Sequence, residues 1–148
     1  MRGLSVIIPV APGEDQWRAL VEDIAALSGI REVILVTSAG HELDETVRAL
    51  PGRGIRVMSS TAGRGPQMNA GALASRGAYL WFLHADSRLM PGSAQALRRA
   101  IDSQPGGLFY FDLAFRGGPP RLMALSSLGA NLRSRWLKVP FGDQGLCI

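Results

Sequence analysis

A short apolar run, Ala78 to Leu83, breaks off into His84, Ala85, Asp86 and Ser87. A hydrophobic strand that ends in an imidazole and a carboxylate delivers both groups to one rim of a sheet. The carboxylate of Asp86 suits a divalent cation, Mg2+ or Mn2+, whose charge would offset that of a diphosphate leaving group. It equally suits capping of the helix opened near Pro91, or closure of an Asx-type turn. His84 reads more readily as a hydrogen-bonded structural histidine than as a metal ligand.

Two further stretches carry polar groups at turns. Arg64-Gly65-Pro66-Gln67-Met68-Asn69-Ala70-Gly71 joins a strand to the start of a helix. Backbone N–H groups there, with Arg64, suit a phosphate or a nucleotide edge. Ordinary turn chemistry is the plainer reading, with Gly71 allowing close helix–sheet packing. The spacing fits neither a Walker loop nor the Gly-x-Gly-x-x-Gly fingerprint, and no Gly-x-Ser-x-Gly elbow occurs. Near the end, Pro140-Phe141-Gly142-Asp143-Gln144-Gly145 sets a carboxylate among glycines. Asp143 could take a proton from an acceptor hydroxyl, although Gly-Asp is also common in plain turns.

The apolar pattern indicates which elements must position these groups. Leu4 to Val10 reads as a buried first strand, with Pro9 near its end, where a lost donor matters least. Trp17, Leu20, Val21, Ile24 and Leu27 share one helical face, and Gly29 supplies a stop. Strands follow at Glu32 to Thr37 and Ile55 to Ser59, with a short helix between them marked by Leu43, Val47 and Leu50. Pro66 opens the next helix. Ala78 to Leu83 is the most apolar strand and is predicted to be central. Pro91 opens a helix carrying Ala94, Leu97 and Ile101, and Leu108 to Phe115 reads as a further strand.

A longer helix, from about Arg121 to Lys138, carries Leu122, Leu125, Leu128, Leu132 and Trp136. Its leucine face is expected in the core, with Arg121, Arg133, Arg135 and Lys138 on a solvated basic face. Peripheral contact with an anionic membrane surface is the alternative. The alternation of strands and helices predicts an α/β fold, one domain over residues 1–148, with a largely parallel sheet and helices on both faces. Ligands of such sheets bind beyond the carboxyl ends of the strands, here after Val10, Thr37, Ser59 and Leu83.

Composition narrows the partners. With 148 residues and 47% apolar content, the chain can bury a core. Its formal net charge of +4 is the balance of 16 basic and 12 acidic residues, and every basic residue but Lys138 is arginine, which matches phosphate oxygens bidentately. The arginines are scattered from Arg2 to Arg135, without the clustered stripe of a nucleic-acid footprint, so no nucleic-acid partner is expected. Cys147 stands alone, which excludes an intrachain disulfide and a cysteine-based zinc cage. No segment reads as a transmembrane helix or signal peptide, so a cytoplasmic location is expected.

Together these motifs resemble the family 2 glycosyltransferases, which share the GT-A, Rossmann-like nucleotide-sugar-binding fold. SVIIPV is similar to the family's opening strand. RGPQMNAGALASRGAYLWFLHADS resembles the segment joining its glycine-rich helix to the metal-binding Asp-x-Asp strand, and PFGDQG stands in the place of its acidic base motif. The resemblance implies inverting, metal-assisted transfer of a sugar from a nucleotide diphosphate-sugar donor to an acceptor hydroxyl. Asp143 would be the general base and Asp86 the ligand of a divalent cation. Pro9, Arg64, Asn69, His84 and Asp86 would line the donor. His-Ala-Asp-Ser with Gly-Asp-Gln is similar to a small bacterial subgroup associated with arsenosugar biosynthesis.

The chain departs from the family pattern in three places. His84 replaces the first Asp of Asp-x-Asp. Val36-Thr37-Ser38-Ala39-Gly40 lacks the acidic residues that usually contact base and ribose. The sequence stops at Leu146-Cys147-Ile148, directly after the base motif, and reads as truncated before the acceptor-side segment. An apolar patch near Leu146 is therefore expected, with self-association into a homo-oligomer. Two rival readings are a nucleotidyltransferase and a non-catalytic nucleotide-sugar-binding module. The former normally opens with a glycine-rich, Arg-containing loop, where this chain has Ala11-Pro12-Gly13-Glu14.

Overall fold

The structure, a computed structural model, describes residues 3–43, 47, 54–112, 114, 120–137 and 144–148. Four strands form one sheet: β1 (Leu4–Pro9), β2 (Ile30–Ser38), β3 (Ile55–Ser60) and β4 (Tyr79–Phe82). Their order is β3-β2-β1-β4, and every pairing is parallel. Helices α1 (Trp17–Ala25) and α2 (Arg64–Ala74) lie in the crossovers after β1 and β3, and α3 (Ser93–Ser103) and α4 (Pro120–Leu137) follow β4. The chain is an α/β protein with helices on both faces of a parallel sheet.

Alternation along the strands assigns each side chain to a face. Val6 and Ile8 of β1, and Val10 just after it, pack with Trp17, Leu20, Val21 and Ile24 of α1 and with Leu97 and Ile101 of α3. Ile7, Ile34 and Val36 point to the opposite face, where Ala70 and Ala72 of α2 cover them. Because both faces are covered, β1 is apolar at nearly every position, as buried parallel strands are. Gly71 allows α2 to sit close: a Cβ built there would lie 2.5 Å from Ile7 Cγ2.

A buried ionic cluster ties the lower end of the sheet together. Glu32, 3% exposed, accepts from Ser5 Oγ at 2.7 Å, Arg56 Nη1 at 2.8 Å and the Arg76 amide at 2.6 Å. Arg56 also donates to the Ala74 carbonyl at the end of α2. Burial pushes the Glu32 carboxyl up, but the hydrogen bonds from Arg56, Ser5 and the Arg76 amide outweigh it and hold it below its ordinary value. β1, β2, β3 and the segment after α2 thus share one carboxylate.

Several sequence expectations need correction. β4 is the outermost of the four strands, with β1 beside it. Its outer edge is nonetheless closed by the 146–148 segment, since Leu80 N–H donates to Ile148 O at 2.7 Å and Phe82 N–H to Leu146 O at 2.7 Å. Cys147 bridges antiparallel to both Trp81 and Phe109. The backbone of the 146–148 segment is therefore paired on both sides, while the Ile148 side chain stays 50% exposed. The strand expected over Leu108 to Phe115 contributes a single bridge, at Phe109, among the described residues. α3 begins at Ser93, with Gly92 as its N-cap, and not at Pro91. Of the short helix expected around Leu43 to Leu50, residues 44–46 and 48–50 lie outside the described residues.

The largest correction concerns α4. Leu122, Leu125, Leu128, Leu132 and Trp136, expected in the core, are all exposed. The covered positions are Met123, Ser127, Ala130, Asn131, Arg133 and Ser134, so Arg133, expected on a solvated face, is half-buried with Nε and Nη2 shielded from solvent. Polar contacts set that orientation: Tyr110 Oη donates to the Ser134 carbonyl at 3.1 Å, and Ser134 Oγ lies 2.5 Å from Gln144 Oε1. Among the described residues, no helix is long and apolar enough to cross a membrane.

Candidate functional site

The order β3-β2-β1-β4 reverses direction between β1 and β4, so the crevice lies beyond their carboxyl ends. One residue helps to open it. Leu83 N–H donates to Ile7 O at 3.0 Å, and the next rung of this ladder would need an N–H at Pro9. Proline has none, so the β1–β4 ladder stops there. On its other side β1 continues one residue further, through Val10 N–H to Val36 O at 2.9 Å.

His84 and Asp86 follow β4 directly, in a turn closed by Ser87 N–H donating to the His84 carbonyl at 3.0 Å. His84 is half-buried and its Nε2 is shielded from solvent. Asp86 is exposed, and its carboxylate has no hydrogen-bond or ion-pair partner among the described residues. Neither structural role open to Asp86 is realised. α3 starts seven residues later with Gly92 as cap and no side-chain cap bond, and no Asx-type bond forms.

The loop that carries Asp86 is clamped from outside the sheet. Arg88 donates Nε and Nη2 to the two carboxylate oxygens of Asp23 on α1, at 2.7 and 2.9 Å, and the Leu89 amide adds a third bond at 3.2 Å. This fork geometry fixes direction as well as distance. The pair was not legible in sequence because its members stand 65 residues apart.

Arg64 and Asn69 lie on α2, which covers the face of the sheet opposite to α1. Gly63, with φ +117°, turns the chain from β3 into Arg64, the first helical residue. Arg64 and Asn69 are both exposed. Between them, Gln67 is buried, and its side-chain amide donates to Val10 O at 3.0 Å and Val36 O at 2.7 Å. It stitches the start of α2 to the ends of β1 and β2, a role the sequence reading missed. A polar side chain near a helix start gives no local sign that it points into a sheet.

Asp143 lies outside the described residues. Its neighbour Gln144 is buried, its main-chain oxygen accepts from Phe111 N–H at 2.8 Å, and its side-chain amide donates to Phe111 O at 3.3 Å. A Cβ on Gly145 would meet Leu83 Cδ2 at 3.1 Å, so this segment packs beside the end of β4. Trp81 and Phe111 stack below it, with centroids 5.6 Å apart. Cys147 is fully buried, and burial pushes its thiol up to about 12, which makes it a packing residue and not a nucleophile. His41 stands three residues past the end of β2. Its Nε2 is shielded from solvent without a hydrogen-bond partner among the described residues.

The parallel sheet, its order reversal between β1 and β4 and the helices on both faces give an α/β fold of the GT-A, Rossmann-like class. The profile of glycosyl transferase family 2 matches residues 5–145, and the chain belongs to that family. No curated protein matches it by sequence. Among solved structures, S. aureus TarS 1-349 is similar at 18% identity and a TM-score of 0.60, over 79% of this chain and 38% of TarS. TarS has also been solved in complex with UDP-GlcNAc. Glucosyl-3-phosphoglycerate synthase from Mycobacterium tuberculosis, in complex with UDP, is similar at 21% identity and a TM-score of 0.56, over 99% of this chain and 56% of that one. A 4-diphosphocytidyl-2C-methyl-D-erythritol synthase from Anaerococcus prevotii is similar at 13% identity and a TM-score of 0.60, over 80% and 58%. The chain therefore spans less than two thirds of each of these proteins, and at these identities the likeness shows the fold.

Proposed function

We propose that the chain binds a nucleotide diphosphate-sugar at the carboxyl ends of β1 and β4 and serves transfer of the sugar, with inversion, to an acceptor hydroxyl. The observation that carries this reading is Asp86: an exposed carboxylate without a described partner, held at the rim of the switch-point crevice by a clamped loop. Arg64 and Asn69, exposed on α2, would lie along the nucleotide, with Pro9 at the crevice floor and His84 beside the diphosphate. TarS and the M. tuberculosis synthase were solved with UDP-GlcNAc and UDP, so uridine diphosphate sugars are the donors to try first.

Asp86 would also hold a divalent cation, Mg2+ or Mn2+. Among the described residues no group of three His, Cys, Asp or Glu forms a complete cage. The chemistry still fits, because a magnesium-type site takes one or two carboxylates and draws further oxygens from substrate phosphates and water. When bound, the cation would offset charge on the departing diphosphate.

In the transfer, the acceptor oxygen forms a bond to the anomeric carbon as the carbon–oxygen bond to the diphosphate breaks. The acceptor proton goes to the Asp143 carboxylate, and the nucleoside diphosphate leaves with the bonding pair. Asp143→Asn should leave donor affinity within about twofold of wild type and lower transfer by about 10²–10⁴. Wild-type transfer by that variant would assign the base to another residue.

The A. prevotii synthase shares the fold, which makes nucleotidyl transfer the second reading. The family match favours the first. Product analysis separates them, since glycosyl transfer releases a nucleoside diphosphate and nucleotidyl transfer releases pyrophosphate. A donor that binds and never turns over would indicate a binding module. The similarity of His84-Ala85-Asp86-Ser87 with Gly142-Asp143-Gln144 to the arsenosugar-associated subgroup makes arsenic-containing hydroxylic acceptors worth including in the panel.

A further inference from the structure

α1 is a fixed support for the segment that follows β4. Trp17, Leu20, Val21 and Ile24 bury one side of the helix in the core. Asp23, on the same helix, keeps its side chain 19% exposed, and both of its carboxylate oxygens are engaged by that segment. Arg88 donates Nε to Oδ2 and Nη2 to Oδ1, and the Leu89 amide donates to Oδ2. Leu89 also packs its side chain against the core.

These contacts stand two and three residues beyond Asp86. The turn that carries Asp86 is closed by a bond within itself, from Ser87 N–H to the His84 carbonyl. A second local bond, from Ser93 N–H to Met90 O, opens α3. Each of these bonds shapes its own turn. Arg88 and Leu89 lie between the two turns, and their contact with Asp23 ties both to α1.

Global stability does not account for the pair. The Arg88 side chain remains 49% exposed, and ion pairs exposed to this degree contribute little to folding. A fork with a third bond on the same carboxylate restricts geometry instead.

We infer that Asp23 is a positioning residue for the donor site: through Arg88 and the Leu89 amide, it holds Asp86 toward the donor's diphosphate and its divalent cation. Asp23 acts through the loop and not by contact with the donor. The inference rests on the donor reading proposed above.

The test compares donor affinity with and without the cation. UDP-GlcNAc, with GDP- and dTDP-sugars in parallel, is titrated calorimetrically into the full chain, in Mn2+ and in EDTA. Wild type, Asp23→Ala, Arg88→Ala and Arg88→Lys are compared. A group that works through Asp86 changes the strengthening that Mn2+ gives and leaves the affinity in EDTA alone. Asp23→Ala and Arg88→Ala should each reduce that strengthening at least about threefold. Arg88→Lys keeps the charge and loses the fork, so it should fall between Arg88→Ala and wild type. Melting temperatures should stay within about 3 °C of wild type, as for loss of an exposed pair.

Strengthening by Mn2+ that survives intact in Asp23→Ala and Arg88→Ala overturns the inference and leaves the donor reading standing. An equal loss of affinity in Mn2+ and in EDTA makes the pair structural, and overturns it as well. Wild type that binds no donor, or binds it equally in Mn2+ and EDTA, contradicts the reading beneath the inference, and the inference falls with it.

Discussion

The side-chain amide of Gln67 reaches across the sheet edge to the Val36 carbonyl, at 2.7 Å. The same amide takes up the Val10 carbonyl at 3.0 Å, so the start of α2 is fixed where β1 and β2 end. Gln67→Ala leaves the Val10 oxygen without that donor in a buried setting. Stability should fall by about 1–3 kcal/mol in urea denaturation. Donor affinity should fall too, since Arg64 and Asn69 flank Gln67 on α2. Unchanged stability would mean that water replaces the amide and that the stitch is dispensable.

Gly71 is predicted to resist even the smallest enlargement. An alanine methyl would lie 2.5 Å from Ile7 Cγ2 and 3.1 Å from Val36 Cγ2, both on side chains buried between sheet and helix. Relief requires α2 to move outward, and overpacking of this kind costs about 1–3 kcal/mol. Gly65→Ala on the same helix, where a Cβ meets nothing within 4 Å, is the control and should be tolerated. Equal melting temperatures for the two variants would contradict the close packing.

Glu32 ties stability to pH. Its carboxyl is held below its ordinary value in the folded protein, so folding favours the ionised form. The resulting stabilisation is fully present above the unfolded value of about 4.3, and is lost as pH falls through the lower folded value. Glu32→Gln should therefore be less stable than wild type at neutral pH, and the gap should narrow under acid. A gap independent of pH from neutrality to about pH 3 would show that shape, and not charge, makes the contribution.

The sheet was legible because runs such as Leu4 to Val10 and Tyr79 to Leu83 are apolar on both faces, a pattern that few other elements carry. The place of Asp86 at the end of β4 was legible for a related reason, as an abrupt carboxylate after the most apolar run. Glu32 was not, because a charge inside a strand discloses its partners only when Ser5, Arg56 and the Arg76 amide are brought together. α4 shows a different limit. Periodicity showed that its leucines share a stripe, but the side facing the protein was decided by Ser134, Tyr110 and Gln144, whose bonds are tertiary.

The central claim is that Asp86 holds the donor's diphosphate end, and calorimetric titration tests it most directly. UDP-GlcNAc, with GDP- and dTDP-sugars in parallel, is titrated with Mn2+ into wild type, Asp86→Ala and His84→Ala. The account predicts metal-dependent binding to wild type, an affinity loss of at least about tenfold for Asp86→Ala, near 1.4 kcal/mol, and a smaller loss for His84→Ala. Unchanged affinity in a folded Asp86→Ala protein, or no binding of any of these donors to wild type, would contradict it.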